Sequence, residues 1–126
     1  MASGTIQMPH FEEITVTRVS SKIDATENGV TAARNGDVLY VRGWFKTTSA
    51  ISANEVLFSL PQDLHILSFS YAVAFSGTGN NPTVGVLAIK EDRNGNARIT
   101  ATSALATNVY WNIATTPVML SAVFIP

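Results

Sequence analysis

Ile66-Leu67-Ser68-Phe69-Ser70-Tyr71-Ala72-Val73-Ala74-Phe75-Ser76 alternates bulky apolar residues with small ones along its length. Residues two apart share one face of a β-strand. Leu67, Phe69, Tyr71, Val73 and Phe75 therefore line one face, and Ser68, Ser70, Ala72 and Ala74 line the other. A helix would instead need apolar residues at i, i+3, i+4 and i+7, a pattern that no window of about a dozen residues keeps. The small row is too neutral for an ordinary solvent face, so something is expected to pack closely against it.

Outward from this segment the same period recurs in short runs rich in Val, Ile, Thr, Phe and Tyr. Strands are predicted at Glu12–Val19, Gly29–Ala33, Asp37–Lys46, Glu55–Ser59, Ile66–Ser76, Thr83–Lys90, Ala97–Thr102, Asn108–Ile113 and Met119–Ile125. Asn28-Gly29, Asn35-Gly36 and Asn94-Gly95 can each supply the positive φ angles of a tight hairpin turn, and Asn94-Gly95 lies between two good strands. Gly77 to Pro82 reads as a longer, exposed loop. The implied fold is all-β, an antiparallel, jelly-roll-like β-sandwich of about eight or nine strands. Residues 1–11 lack periodicity and read as a lead-in, leaving residues 12–126 as one domain.

Composition narrows the function classes. Hydrophobic residues at 46% against 13% charged exclude a disordered tail. Eight basic residues against nine acidic ones leave no electrostatic footprint for nucleic acid or an anionic membrane. Without cysteine there is neither a disulfide framework nor a thiolate metal site. Met1 to Phe11 has neither a basic start nor an apolar run, and no run of about 18 apolar residues occurs, so no signal peptide or membrane insertion is expected.

Catalytic groupings are missing as well. There is no Gly-x-Ser-x-Gly elbow or phosphate-binding loop, and Gly77-x-Gly79 lacks the glycine, basic residue and helix that a phosphate cradle needs. His10 and His65, the two histidines, belong to no zinc pattern. Asp92-x-Asn94-x-Asn96 resembles the start of a calcium loop. Ala97 and Ser103, however, stand where that loop requires Gly and Glu, and the hairpin reading prevails. Glu12 and Glu13 are neighbours on a strand and point to opposite faces, which makes them a solvated strand start rather than a carboxylate pair. No enzyme activity, metal or cofactor is expected.

Aromatic residues remain as a binding platform, because their flat faces stack on sugar C–H surfaces. Tyr40, Arg42 and Trp44 share one face of Asp37–Lys46, opposite Leu39, Val41 and Phe45. A strand tryptophan also serves in cores and interfaces, so both readings of Trp44 stand. Trp111 is read as core and Tyr110, opposing it, as accessible. Asp63, His65, Asn80 and Asn81, in predicted loops, complete the candidate ligand-binding set. Met119–Ile125 is apolar on nearly both faces, and a lone two-sheet sandwich covers only one face of each sheet. Either loops cover the second face or other subunits do.

Gly36-Asp37-Val38-Leu39-Tyr40-Val41-Arg42-Gly43-Trp44-Phe45, followed by Val56-Leu57-Phe58-Ser59-Leu60-Pro61, resembles the C-terminal receptor-binding domains of bacteriophage tail-fibre and baseplate proteins. The Asn-Gly hairpin, the late Trp111 and the short apolar end at Leu120–Ile125 extend the resemblance over Thr31 to Pro126. It departs after Leu60-Pro61, where Gln62-Asp63-Leu64-His65 stand in place of the usual Gly and second Pro, and no coiled stem precedes the domain, as in a fragment of a longer fibre. The resemblance implies a homotrimer at the tip of a virion tail or baseplate, beside other tail proteins. It further implies a non-catalytic domain that binds a host cell-surface saccharide. Assembly in the reducing cytoplasm of the bacterial host would accord with the lack of cysteine. The other reading is a structural virion assembly module that makes only protein contacts.

Overall fold

The computed structural model describes residues 11–76 and 83–121. Within them the chain is all-β, with strands β1 (Glu12–Ile14), β2 (Thr17–Arg18), β3 (Ile23–Asn28), β4 (Thr31–Asn35), β5 (Val38–Thr47) and β6 (Val56–Ser59). There follow β7 (Ile66–Ser68), β8 (Ser70–Ser76), β9 (Thr83–Glu91), β10 (Ala97–Ala101) and β11 (Tyr110–Leu120). Every pairing is antiparallel. Neighbours run β1-β4-β5-β11-β8-β9-β10-β6-β2, with β3 also on β5 and β7 on β11. The sheet curls into a half-barrel of jelly-roll-like character. Its two arms meet where Phe45 of β5 packs edge-on against Phe58 of β6, ring centroids 5.7 Å apart.

Turn chemistry sets the register. Asn35 pairs with Val38, leaving Gly36 and Asp37 as a two-residue loop with positive φ at Gly36, the arrangement of a type II′ hairpin. Asn28-Gly29 has no positive φ and joins β3 to β4, which both pair with β5 and not with each other. Gly95, like Gly36 at positive φ, closes the β9–β10 hairpin. There Asp92 Oδ1 accepts the N–H groups of Asn94 (2.8 Å) and Asn96 (3.0 Å), which with Arg98 nearby hold its carboxyl below the usual range. The turn that resembled a calcium loop is thus a hairpin whose carboxylate is occupied by its own backbone.

The two rows of the opening segment are sorted in an instructive way. What packs closely against the β8 part of the small row is the domain's own core, for Ala72, Ala74 and Ser76 are buried and Ser70 is half-buried, whereas Ser68, opposite the outward Met119, is exposed. The bulky row faces outward, with Leu67 68% and Tyr71 60% exposed. Small residues suffice inside because Phe45, Phe58, Trp111 and Leu87 already fill that interior. Gly85 on β9 follows the same logic: a Cβ there would lie 2.6 Å from Leu105 Cδ2. Trp111 is core, as expected, although its Nε1 is buried with no partner among the described residues.

Four predicted strands are redrawn and one unpredicted strand appears. Ile66–Ser76 breaks at Phe69 into β7 and β8. Glu12–Val19 divides into β1, paired with β4, and β2, paired with β6, because the chain there crosses between the two ends of the curled sheet. Ile23–Asn28, where no strand was expected, forms β3. Asp24 Oδ1 accepts N–H bonds from Thr26 (2.8 Å) and Glu27 (2.9 Å), so the local signal is that of an Asx turn. The expected separate strands at 108–113 and 119–125 are one, β11, which continues through an irregularity between Ile113 and Thr116. Pro117, with no N–H to donate, sits where the partner changes from β8 to β7, and its carbonyl accepts Ser70 Oγ at 3.1 Å. The predicted lead-in except for Phe11, the predicted loop, and the last residues of the final strand lie outside the described residues.

Two expectations follow. Gly36 has open space and only its φ to lose, so Gly36→Ala is expected to cost about 1 kcal/mol. A Cβ on Gly43 would overlap Gly29 O and Val30 Cα, backbone atoms that cannot swing away. Gly43→Ala is therefore expected to cost about 3 kcal/mol or more in denaturant unfolding, and equal losses at the two positions would contradict this packing.

The second expectation concerns acid. Glu55 accepts Ser20 Oγ at 2.6 Å and Lys22 Nζ at 2.9 Å, and these bonds lower its carboxyl pKa despite partial burial. A depressed folded pKa means that the unfolded chain protonates first. The stability from Glu55 and Asp92 is therefore complete above about pH 4.5 and lost as pH falls through their folded values. Unfolding midpoints should decline below about pH 4, and Glu55→Gln should make that decline shallower. An identical acid limb in the variant would refute the role of Glu55.

Candidate functional site

Strict alternation along β5 sends Leu39, Val41, Phe45 and Thr47 into the core and Tyr40, Arg42, Trp44 and Lys46 outward. At the rise of a strand the outward row spans about 20 Å from Tyr40 to Lys46. It alternates aromatic and cationic side chains, and its two halves have different surroundings.

The first half forms a groove. Glu13 pairs with Ala33, which pairs with Tyr40, while Thr31 pairs with Arg42, so β1, β4 and β5 present these side chains on one outer face. Phe11, Glu13, Thr31, Tyr40, Arg42 and Thr115 line a concavity of about 580 Å³. Phe11 meets the Tyr40 ring edge-on at 5.9 Å. Neither the Arg42 guanidinium nor the Glu13 carboxylate has a hydrogen-bond partner among the described residues, and both are exposed. A planar donor fork, a carboxylate acceptor, two hydroxyls and an aromatic face thus converge on one concavity. That inventory matches a polyhydroxylated ligand, whose C–H faces stack while its hydroxyls donate and accept.

The second half is a shelf. Trp44 lies against the backbone of Gly29, whose N–H donates to Trp44 O at 2.7 Å, and a Cβ at Gly29 would come 2.5 Å from the indole nitrogen. The Trp44 ring, 38% exposed, tilts against Tyr110 of β11 with centroids 6.1 Å apart. Tyr110 is exposed as expected, and its hydroxyl donates to Glu27 Oε1 at 2.7 Å. Lys46 Nζ stands 3.3 Å from Glu27 Oε2 and 5.3 Å from the Tyr110 ring centroid. The Glu27 carboxylate favours the phenol and the ammonium alike, raising the pKa of both above their ordinary values.

The structure therefore groups Tyr40, Arg42 and Trp44 on one row, but the loop candidates lie apart from it. Asp63 is exposed in the turn closed by Leu64 N–H to Pro61 O, and lines neither half. His65 Nδ1 is 3.0 Å from Glu91 Oε1, at the far end of β9. Asn80 and Asn81 lie outside the described residues. Glu13, read as a plain strand start, and Phe11, read as lead-in, prove to line the groove. Only the long-range register that sets β1 beside β4 reveals them. Lys46 carried a signal in the sequence, since it follows Trp44 on the same face. Among the described residues no group of three or more His, Asp or Glu is placed to hold a metal ion.

No protein-family model matches the chain, and no curated protein is significantly similar to it.

The shelf is open to a direct check. In a spectrophotometric titration one tyrosine, identified by its loss in Tyr110→Phe, should ionise above the ordinary phenol value. Glu27→Gln removes the charge but keeps an acceptor, and should return that tyrosine toward the ordinary value. No change in the variant would disprove the coupling.

Proposed function

We propose that this chain is a non-catalytic receptor-binding domain of a bacteriophage tail or baseplate, which attaches to a host cell-surface saccharide through the outer face of β5. The observation that carries this reading is the row Tyr40-Arg42-Trp44, with a groove at one end and an aromatic shelf at the other. The all-β fold and the resemblance of Gly36–Phe45 and Val56–Pro61 to such domains support it. In this reading three copies form a homotrimer in the virion, assembled in the host cytoplasm beside other tail proteins. Each copy contributes one weak site, and attachment is strong only because several sites engage together.

The test is saccharide binding. On arrays of bacterial surface glycans or on purified cell wall, Arg42→Ala and Trp44→Ala should each weaken binding by about tenfold or more. His65→Ala, remote from the row, should leave it nearly intact. Binding unchanged in both row variants would overturn the assignment, and loss in His65→Ala alone would move the site to the β6–β7 loop.

The second reading, a structural assembly module, is favoured by the outward row of Leu67, Phe69, Tyr71, Val73 and Phe75, which has the character of a protein-contact surface. A domain that binds a purified baseplate protein but no host cell or glycan would support it over the first.

A further inference from the structure

We infer that the outer face of β7, β8 and β9 is the surface through which copies of this chain pack together, an inference that rests on the proposed self-association and assigns it a place. Leu67, Phe69, Tyr71, Val73, Phe75 and Val84 all point outward there, each between 41% and 68% exposed. The register holds them in one patch: Phe75 lies opposite Val84 and Val73 opposite Val86, while Tyr71 lies opposite the small Ala88. Met119, also outward, pairs through its Cα with Ser68 on the adjoining strand.

Area is the first argument for the occupant. These six side chains leave roughly 600 Å² of surface in water, at the upper limit for the largest patch of a monomer and close to the ~800 Å² each partner buries in a stable interface. Composition is the second, since aromatic and aliphatic residues fill the centre. The nearest cations, Lys90 and Arg98, sit opposite each other at the border, as in an apolar interface core with a polar rim.

Charge favours a second copy over a different protein. Among the outward residues at 67, 69, 71, 73, 75, 84, 86, 88 and 90 the single charged one is Lys90, at the end of the row. A face charged across its centre would set like charges together on meeting its own copy, whereas this one carries its cation only at the rim and keeps its centre uncharged. β8 and β9 are also interior strands of the sheet, with neighbours on both sides, so their backbone groups are already paired. A partner must therefore lie face-on, through side chains, and not extend the sheet at an edge. A depression of about 300 Å³ between Phe69, Tyr71, Lys90 and Asn54 offers a socket for a protruding side chain of the other copy. The Phe69 and Tyr71 rings hold its wall, packed edge-on at 5.4 Å.

The test compares the full chain with Tyr71→Lys/Val73→Lys by sedimentation equilibrium, with circular dichroism to establish that the variant is folded. The wild type should sediment at a multiple of 13.5 kDa and the folded variant at 13.5 kDa. A variant that keeps the wild-type mass would overturn this surface while leaving self-association standing. A wild type at 13.5 kDa at every concentration would overturn both, without touching the saccharide reading, which is judged by Arg42 and Trp44. Should the variant not fold, hydroxyl-radical footprinting of the wild type decides: protection of Phe69 and Tyr71 that grows with protein concentration supports the inference. Protection independent of concentration would mean that the chain covers the face itself, and would refute it.

Discussion

The contact between Phe45 and Phe58 joins strands that stand third from one end of the sheet path and second from the other, and the rest of the architecture depends on it. An antiparallel sheet of this size must cover one face, and with neither a helix nor a second sheet among the described residues it does so by curling until its arms meet. The closing pair consumes interior volume, as do Trp111 and the aliphatic residues of β5 and β9. What remains for β8 is a space that only alanine and serine fit, and Gly85 on β9 makes the same concession to Leu105. Packed at near-crystalline density, the interior cannot take the bulky row of β8 instead.

From this constraint follows an uncommon distribution of surface. The residues that would normally fill a core, Phe69, Tyr71, Val73 and Phe75, are displaced to the outside of the same strand. The outer surface therefore has two characters. Across β7 to β9 it is apolar with Lys90 at its rim; along β5 it alternates aromatic rings with cations and has an acidic residue near each end, Glu13 and Glu27. Water treats these differently. The first gains by being covered, whereas the second keeps its charged groups solvated and can exchange water for a ligand's hydroxyls at little net cost. Under the proposed reading, one sheet carries an assembly surface and a recognition surface without either intruding on the core.

How much of this was legible in the sequence can be judged residue by residue. Alternation along Asp37–Lys46 assigned Tyr40, Arg42 and Trp44 to one side, and the structure agrees because a strand has no freedom to do otherwise. The Asn35-Gly36 and Asn94-Gly95 turns were equally plain, since positive φ is a local demand. Ile23–Asn28 was hidden by its own Asx turn, and β11 by a proline that is tolerated only where the neighbouring strand changes. Phe11 and Glu13 enter the groove solely because β1 pairs with β4 about 20 residues later in the chain, a partnership that no local pattern encodes.

The sequence by itself determined the strand period, the antiparallel all-β class and the membership of the two-residue rows, because these arise from backbone geometry and nearest neighbours. Ser68 is the exception, where an irregularity between β7 and β8 breaks the alternation. Only the tertiary structure decided which row of Ile66–Ser76 faces inward. Period 2 separates two faces but does not say which is buried, and hydrophobicity alone would have chosen the bulky one. The decision came from volume: with Phe45, Phe58 and Trp111 already inside, the small row was the one that fitted.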